Sequence, residues 1–212
     1  MENKSIRTIW DAYEQYLSTV KMEGADKLFE VSDILSRSIL IESIEEDTGT
    51  IVSNSIRFFN YIDEEAQIPV EQRKPIKIFI NSTGGYLTST FTVIDAISFS
   101  KTPVYTINIG CAYSGGFLIF ISGHKRMTYP NASFLFHEGS ASIGGDANKF
   151  QNQADFYKKQ REIIKKIVLS KTNIDENLYN SHIKDDWWIL SDEAIELKIA
   201  DKISNSFEDE GY

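Results

Sequence analysis

A single cysteine, Cys111, among 212 residues leaves no internal disulfide framework and no multi-cysteine metal site. Histidine is nearly as scarce. His124, His137 and His182 are the only three, and no H-E-x-x-H places two on one helix face, so neither a metal nor another cofactor is expected. No apolar run approaches the roughly 18 residues of a membrane-crossing helix, and Met1-Glu2-Asn3-Lys4-Ser5 does not read as a basic leader with an apolar stretch behind it. Positive charge is in the minority: 22 Lys and Arg face 31 Asp and Glu, and the net charge of −9 disfavours nucleic acid and anionic membrane as partners. A cytoplasmic location is the expectation. What is present is an ordinary globular composition, 42% apolar and 25% charged, in a chain long enough to bury one core without disulfides or metal.

Along the chain, Ile6, Ile9, Trp10, Tyr13, Leu17 and Val20 recur at helical spacing, predicting an amphipathic helix over residues 5–20, followed by a polar connection over 21–36. Residues 38–41 read as a strand. Asp47 and Thr48 are candidate caps for a helix carrying Ile51 to Ile62, and residues 63–72 read as an acidic loop. Strand, Gly-rich turn and helix then occur twice in succession, at 76–99 and 103–122. Such repeated units predict a largely parallel sheet with right-handed crossovers. Short strands are expected at 125–128 and 133–136 around Pro130-Asn131. A small-residue stretch over 138–146 leads into the longest helix, about 147–171, with Phe150, Ala154, Tyr157, Ile164 and Val168 on one stripe. A short helix over 175–181, a last helix capped by Ser191 and a fraying acidic tail from Asn205 complete the expectation.

The stretch from Ile107 to Ile121 carries the chemistry. A strand, the turn Gly110-Cys111-Ala112-Tyr113-Ser114-Gly115-Gly116 and a wholly apolar helix set Ser114 at a strand-to-helix corner. The following backbone N–H groups open a helix, so they are unpaired and carry partial positive charge. That geometry suits an acyl-transfer nucleophile, and equally a small residue that merely allows a tight turn. Ala112 stands where the G-x-S-x-G elbow has its first Gly. In a parallel sheet the turns leaving neighbouring strands lie side by side, which brings Gly84-Gly85 close to Ser114. Cys111 reads as a small residue of the strand rather than a nucleophile. His124 reads as a solvated loop residue, and His182 lies in a polar stretch outside any motif.

Four short motifs occur in an order that resembles the proteolytic-subunit (ClpP) family of the Clp protease, serine peptidases of crotonase-like fold. Ile80-Asn81-Ser82-Thr83-Gly84-Gly85 resembles I-N-S-P-G-G, with Thr83 for Pro. The Ser114 turn resembles G-x-A-A-S-M-G, Pro130-Asn131 through His137 resembles P-N-S-x-x-x-x-H, and Asp186 through Ala194 resembles D-x-x-x-S-A-x-E-A. The resemblance covers residues 37–204, leaving 1–36 as an N-terminal extension and 205–212 as an acidic tail.

The resemblance implies an α/β fold of repeated β-β-α units with a largely parallel sheet and a protruding handle helix. It implies Ser114 as nucleophile, His137 as general base and acid, Asp186 as its orienting carboxylate, and the backbone N–H groups of Gly85 and Gly115 as the oxyanion hole. It further implies polypeptide substrates, heptameric homo-oligomeric rings that can pair around a closed chamber, and a Clp-type ATPase unfoldase. No P-loop is present in the chain to use ATP itself. Asp185 competes with Asp186, since adjacent side chains of an extended segment point to opposite faces and only one can meet His137. The departures are Thr83, Tyr113 in place of a small residue, where it could block the pocket, Glu138-Gly139 in place of Gln-Pro, and Lys198 in place of Gly. Two alternatives stand beside the peptidase: a crotonase-like acyl-CoA enzyme and a catalytically silent ring subunit.

Overall fold

A computed structural model describes residues 33–139 and 146–210, so the expected helix over 5–20 lies outside the described residues. In chain order the elements are β1 (Ser38–Ile41), α1 (Thr48–Glu65), β2 (Ile76–Ser82), α2 (Leu87–Phe99), β3 (Val104–Tyr113), α3 (Gly115–Ser122), β4 (Lys125–Thr128), β5 (Ser133–Phe136), α4 (Ala147–Lys171), α5 (Glu176–His182), β6 (Trp187–Leu190), α6 (Ser191–Glu196) and β7 (Lys202–Ile203). The sheet runs β1-β2-β3-β4-β7, every pair parallel, with β5 beside β3 and β6 antiparallel to β5. The largely parallel α/β fold expected from the repeats is thus the fold observed.

Strand β3 does not end at Ile109 as the sequence suggests but runs on to Tyr113, changing partner on the way. Tyr105 to Asn108 pair with β4, and Cys111 to Tyr113 pair with β5, so the Pro130 turn shifts the chain sideways rather than making a hairpin. On its other side the register with β2 slips between Ile80 and Ser82, a bulge. Asn108, fully buried, spans the irregularity: its amide donates to the Ser133 carbonyl at 2.9 Å and its side-chain oxygen accepts from the Gly110 N–H at 3.2 Å. The bend re-aims the end of β3, where Ser114 follows.

The core lies between the sheet and its helices. Every residue of α3 is buried, as an all-apolar run requires. Phe117 and Phe120 pack on Phe134 and Phe136 of β5 with ring centroids 4.9–6.4 Å apart, and Phe136 packs on Tyr179 of α5. The residue after Phe136 is His137, so this aromatic cluster fixes its backbone. Helix α4 divides along its length. Ile164 and Val168 are buried, whereas Phe150 of the expected stripe is exposed, because the first half of the helix stands clear of the core.

Asp63 is not in a loop. Helix α1 continues to Glu65, and the Asp63 carboxylate is completely buried, accepting from Arg37 at 2.5 and 2.8 Å and from the Thr102 hydroxyl at 2.7 Å. Removing one member of a buried pair strands the other's charge. Asp63→Ala is expected to cost about 3–5 kcal/mol in urea unfolding, against less than about 1 for the exposed Lys101–Glu64 pair broken by Glu64→Ala.

Other ends differ from expectation in small ways. Asp47 occupies the cap position of α1 without a side-chain bond, and Thr48 instead accepts from the Glu45 N–H. Ser191 does not cap α6: its hydroxyl donates inward to the Tyr129 and Ala132 carbonyls. The acidic tail is folded back as a 3-10 turn over Phe207–Glu210, with Lys202 paired to Asp209 and Glu210 buried. After α6 the chain closes a Schellman turn: Ile199 N–H donates to Ala194 and Lys198 N–H to Ile195, with Lys198 at φ 54°. A side chain there carries the left-handed penalty of about 1–2 kcal/mol. Lys198→Gly is expected to raise stability by about 0.5–1 kcal/mol, after the extra chain entropy of Gly is deducted, visible as a higher unfolding midpoint.

Candidate active site

Ser114 has φ 54° and ψ −116°, a backbone conformation that side-chain-bearing residues seldom adopt and that the surroundings must enforce. Its N–H donates to the Leu135 carbonyl at 2.9 Å, its carbonyl accepts from Leu118 in the first turn of α3, and Gly84 packs directly against it. A methyl group on Gly84 would fall 2.8 Å from the Ser114 Cβ, and Gly84 itself has φ 102°. Only glycine fits this contact. The turn after β2 is drawn tight by the Ser82 hydroxyl, which accepts from the Gly84 N–H at 3.1 Å.

The two proposed donors sit beside this corner. Gly115 opens α3, so its N–H has no intrahelical acceptor. Gly85 forms a parallel bridge with Ile44 in which Ile44 N–H donates to the Gly84 carbonyl and Tyr86 N–H to the Ile44 carbonyl. Alternation along an extended chain turns the N–H of Gly85 itself away from Ile44. A cavity of about 600 Å³ is lined by Thr83, Gly85, Ser114, Gly115 and His137 together.

The β5–β6 register decides between the two candidate carboxylates. Ser133, Phe134, Leu135 and Phe136 face Leu190, Ile189, Trp188 and Trp187. One further step along this antiparallel register sets His137 opposite Asp186, and the His137 Nδ1 lies 3.4 Å from the Asp186 Oδ1. Asp185 is exposed and turned back toward α5 by its N–H bond to the His182 carbonyl. The His137 Nε2 is buried without a hydrogen-bond partner among the described residues. The structure therefore brings Ser114, His137, Gly85 and Gly115 to one cavity with Asp186 behind the imidazole, and leaves the serine–histidine bond unmade. Catalytic bonds of this kind are commonly loose before substrate arrives.

Tyr113 does not block the cavity. Its ring packs edge-on against Trp188 at 5.2 Å and its hydroxyl meets the Ser133 hydroxyl at 2.8 Å, both away from the Ser114 face. Cys111 stays on the strand, its N–H bonded to the Asn81 side chain, and burial pushes its thiol pKa up, away from nucleophile behaviour. His124 is an exposed loop residue, as expected, and its Nδ1 also accepts from the Val104 N–H at 2.9 Å; partial desolvation of the ring, with Lys171 nearby, lowers its pKa. His182 stacks on Trp187 at 4.0 Å and takes no part in the cavity.

Sequence reasoning missed the far wall. Tyr157, Gln160 and Ile164 of α4 line the cavity with Leu118 and Phe136. Their spacing of three and four puts them on one helix face, a signal that the apolar stripe through Tyr157 and Ile164 already contained. Among the described residues no cluster of three or more His, Cys, Asp or Glu could hold a metal ion, and no helix is long and apolar enough to cross a membrane.

The chain is similar to the ATP-dependent Clp protease proteolytic subunit 2 of Treponema denticola, 33% identical over 138 residues that cover 64% of this chain and 69% of that one. It is similar to the protein of the same description from Treponema pallidum, 29% identical over 137 residues covering 64% and 67%. The Clp protease family model matches residues 27–207, which is most of the chain and contains every residue of the site. The protein belongs to the Clp protease family and is a serine-type peptidase.

Proposed function

We propose that the protein hydrolyses peptide bonds through an acyl-enzyme formed on Ser114. The Ser114 hydroxyl adds to the scissile carbonyl while His137 Nε2 takes its proton. The tetrahedral oxyanion is held by the Gly85 and Gly115 N–H groups, where α3 adds the positive end of its dipole. His137 then gives the proton to the leaving amine, and water repeats the sequence to release the acid. Asp186 keeps the imidazole in the tautomer with Nδ1 protonated and stabilises the imidazolium. The observation that carries this reading is the convergence of a strained Ser114, an unpartnered His137 Nε2 and two glycine turns on one cavity.

Beyond the single chain, the reading extends to a homo-oligomeric, heptameric ring that encloses the active sites and works in the cytoplasm with a Clp-type ATPase. Phe58, Tyr61, Phe99, Phe156, Trp188 and Leu190 are all exposed, apolar surface that contact between copies would cover. The test pairs two substrates on the same protein: a short fluorogenic peptide should be turned over and an acyl-CoA thioester should not. Thioester turnover that persists in Ser114→Ala would instead support the crotonase-like acyl-CoA alternative. Native mass measurement gives the ring size.

A further inference from the structure

The contact that would orient His137 is weak by itself. Its Nδ1 is 3.4 Å from an Asp186 side chain that is 57% exposed, and the carboxylate side is open to screening by water. Immediately after His137, however, the chain is tied to α4 at two points. The Tyr157 hydroxyl donates to the Glu138 carbonyl at 3.0 Å. The Arg161 guanidinium pairs with the Glu138 carboxylate. Tyr157 and Arg161 are four residues apart on one helix face, so a single rigid element grips both the backbone and the side chain of Glu138. Beyond Glu138, Gly139 has φ 82° and offers no stiffness of its own.

We propose that Tyr157 and Arg161 are positioning residues for catalysis, acting through Glu138 to hold the His137 backbone where Nε2 can reach Ser114. The proposal rests on the peptidase reading of Ser114 and His137. On one side the Phe136 cluster anchors the chain before His137, and on the other the Tyr157–Glu138–Arg161 link anchors it after. The imidazole is therefore set by two covalent neighbours rather than by the aspartate alone.

Tyr157→Phe tests this with the least disturbance, since the ring stays and only the hydroxyl donor goes. Because Tyr157 also lines the cavity, the kinetic split matters. Loss of positioning lowers kcat about tenfold with KM within about twofold, the scale of a small misplacement of a catalytic group. A substrate contact would raise KM instead and overturn the proposal. Arg161→Gln should lower kcat in the same way, and Arg161→Lys should recover part of it. A readout independent of turnover is amide hydrogen exchange: in Tyr157→Phe, exchange should quicken at residues 137–139 while the core of α4 around Ile164 to Val168 is unchanged. Unaltered exchange at 137–139, or wild-type kcat in both Tyr157→Phe and Arg161→Gln, would refute the link. If the wild-type protein cleaves no peptide while exchange still responds as described, the peptidase reading fails and the tether stands.

Discussion

Ser114→Ala is expected to lower peptide hydrolysis by about 10⁴- to 10⁶-fold, the scale on which a serine nucleophile contributes when it acts as a unit with its base. The fold should not suffer, because among the described residues the hydroxyl makes no hydrogen bond that holds the corner together. The contacts that fix residue 114 run through its backbone, to Leu135 and Leu118, and through the close approach of Gly84. His137→Ala should fall nearly as far, and the two changes together little further, since neither group is useful without the other. What remains is the contribution of the oxyanion donors and of binding, about 10³–10⁴ over water. A fluorogenic peptide assay with a detection limit of about 10⁻⁶ of wild type covers this range. Retention of more than about a tenth of the activity in Ser114→Ala would remove that residue from the mechanism.

The second large effect is at the carboxylate. Asp186→Asn places an amide 3.4 Å from Nδ1, which can donate to that nitrogen and favour the tautomer in which Nε2 carries the proton and cannot accept one. Where the aspartate is buried this costs about 10⁴. Asp186 is more than half exposed, so solvent reduces its electrostatic share. The expected loss is about 10²–10⁴ in kcat, with KM little changed. Asp185→Asn should stay within about twofold, because Asp185 sits exposed in the bend that follows α5, its N–H held by the His182 carbonyl. The ranking of these two variants in the same peptide assay checks the register argument, and the reverse ranking would transfer the role to Asp185.

Much of this arrangement can be read without coordinates. Strand, glycine turn and helix repeat in a way that periodicity detects, and two parallel neighbours necessarily bring Gly84-Gly85 beside Ser114. Local reading fails where a partner lies far along the chain. Asp63 looks like part of an acidic loop until Arg37, 26 positions earlier, is seen bonded to it. Ser191 has the composition of a cap, yet its hydroxyl is drawn to carbonyls about sixty residues before it. Trp187-Trp188-Ile189-Leu190 is a short apolar run that could be strand or helix, and only its pairing with β5 makes it a strand. That pairing is what selects Asp186. Tyr113 shows the same limit in reverse: its size suggests an obstruction, but its direction is set by Trp188 and Ser133.

A fluorophosphonate reports on whether Ser114 is a nucleophile activated within this cavity. Attack by the Ser114 oxygen on phosphorus expels fluoride, leaving a stable adduct whose mass and position can be read by intact-mass and peptide mass spectrometry. One adduct per wild-type chain is expected, on the peptide containing Ser114, lost in Ser114→Ala and formed far more slowly in His137→Ala. An adduct on another residue, or equal labelling of Ser114→Ala, would contradict it.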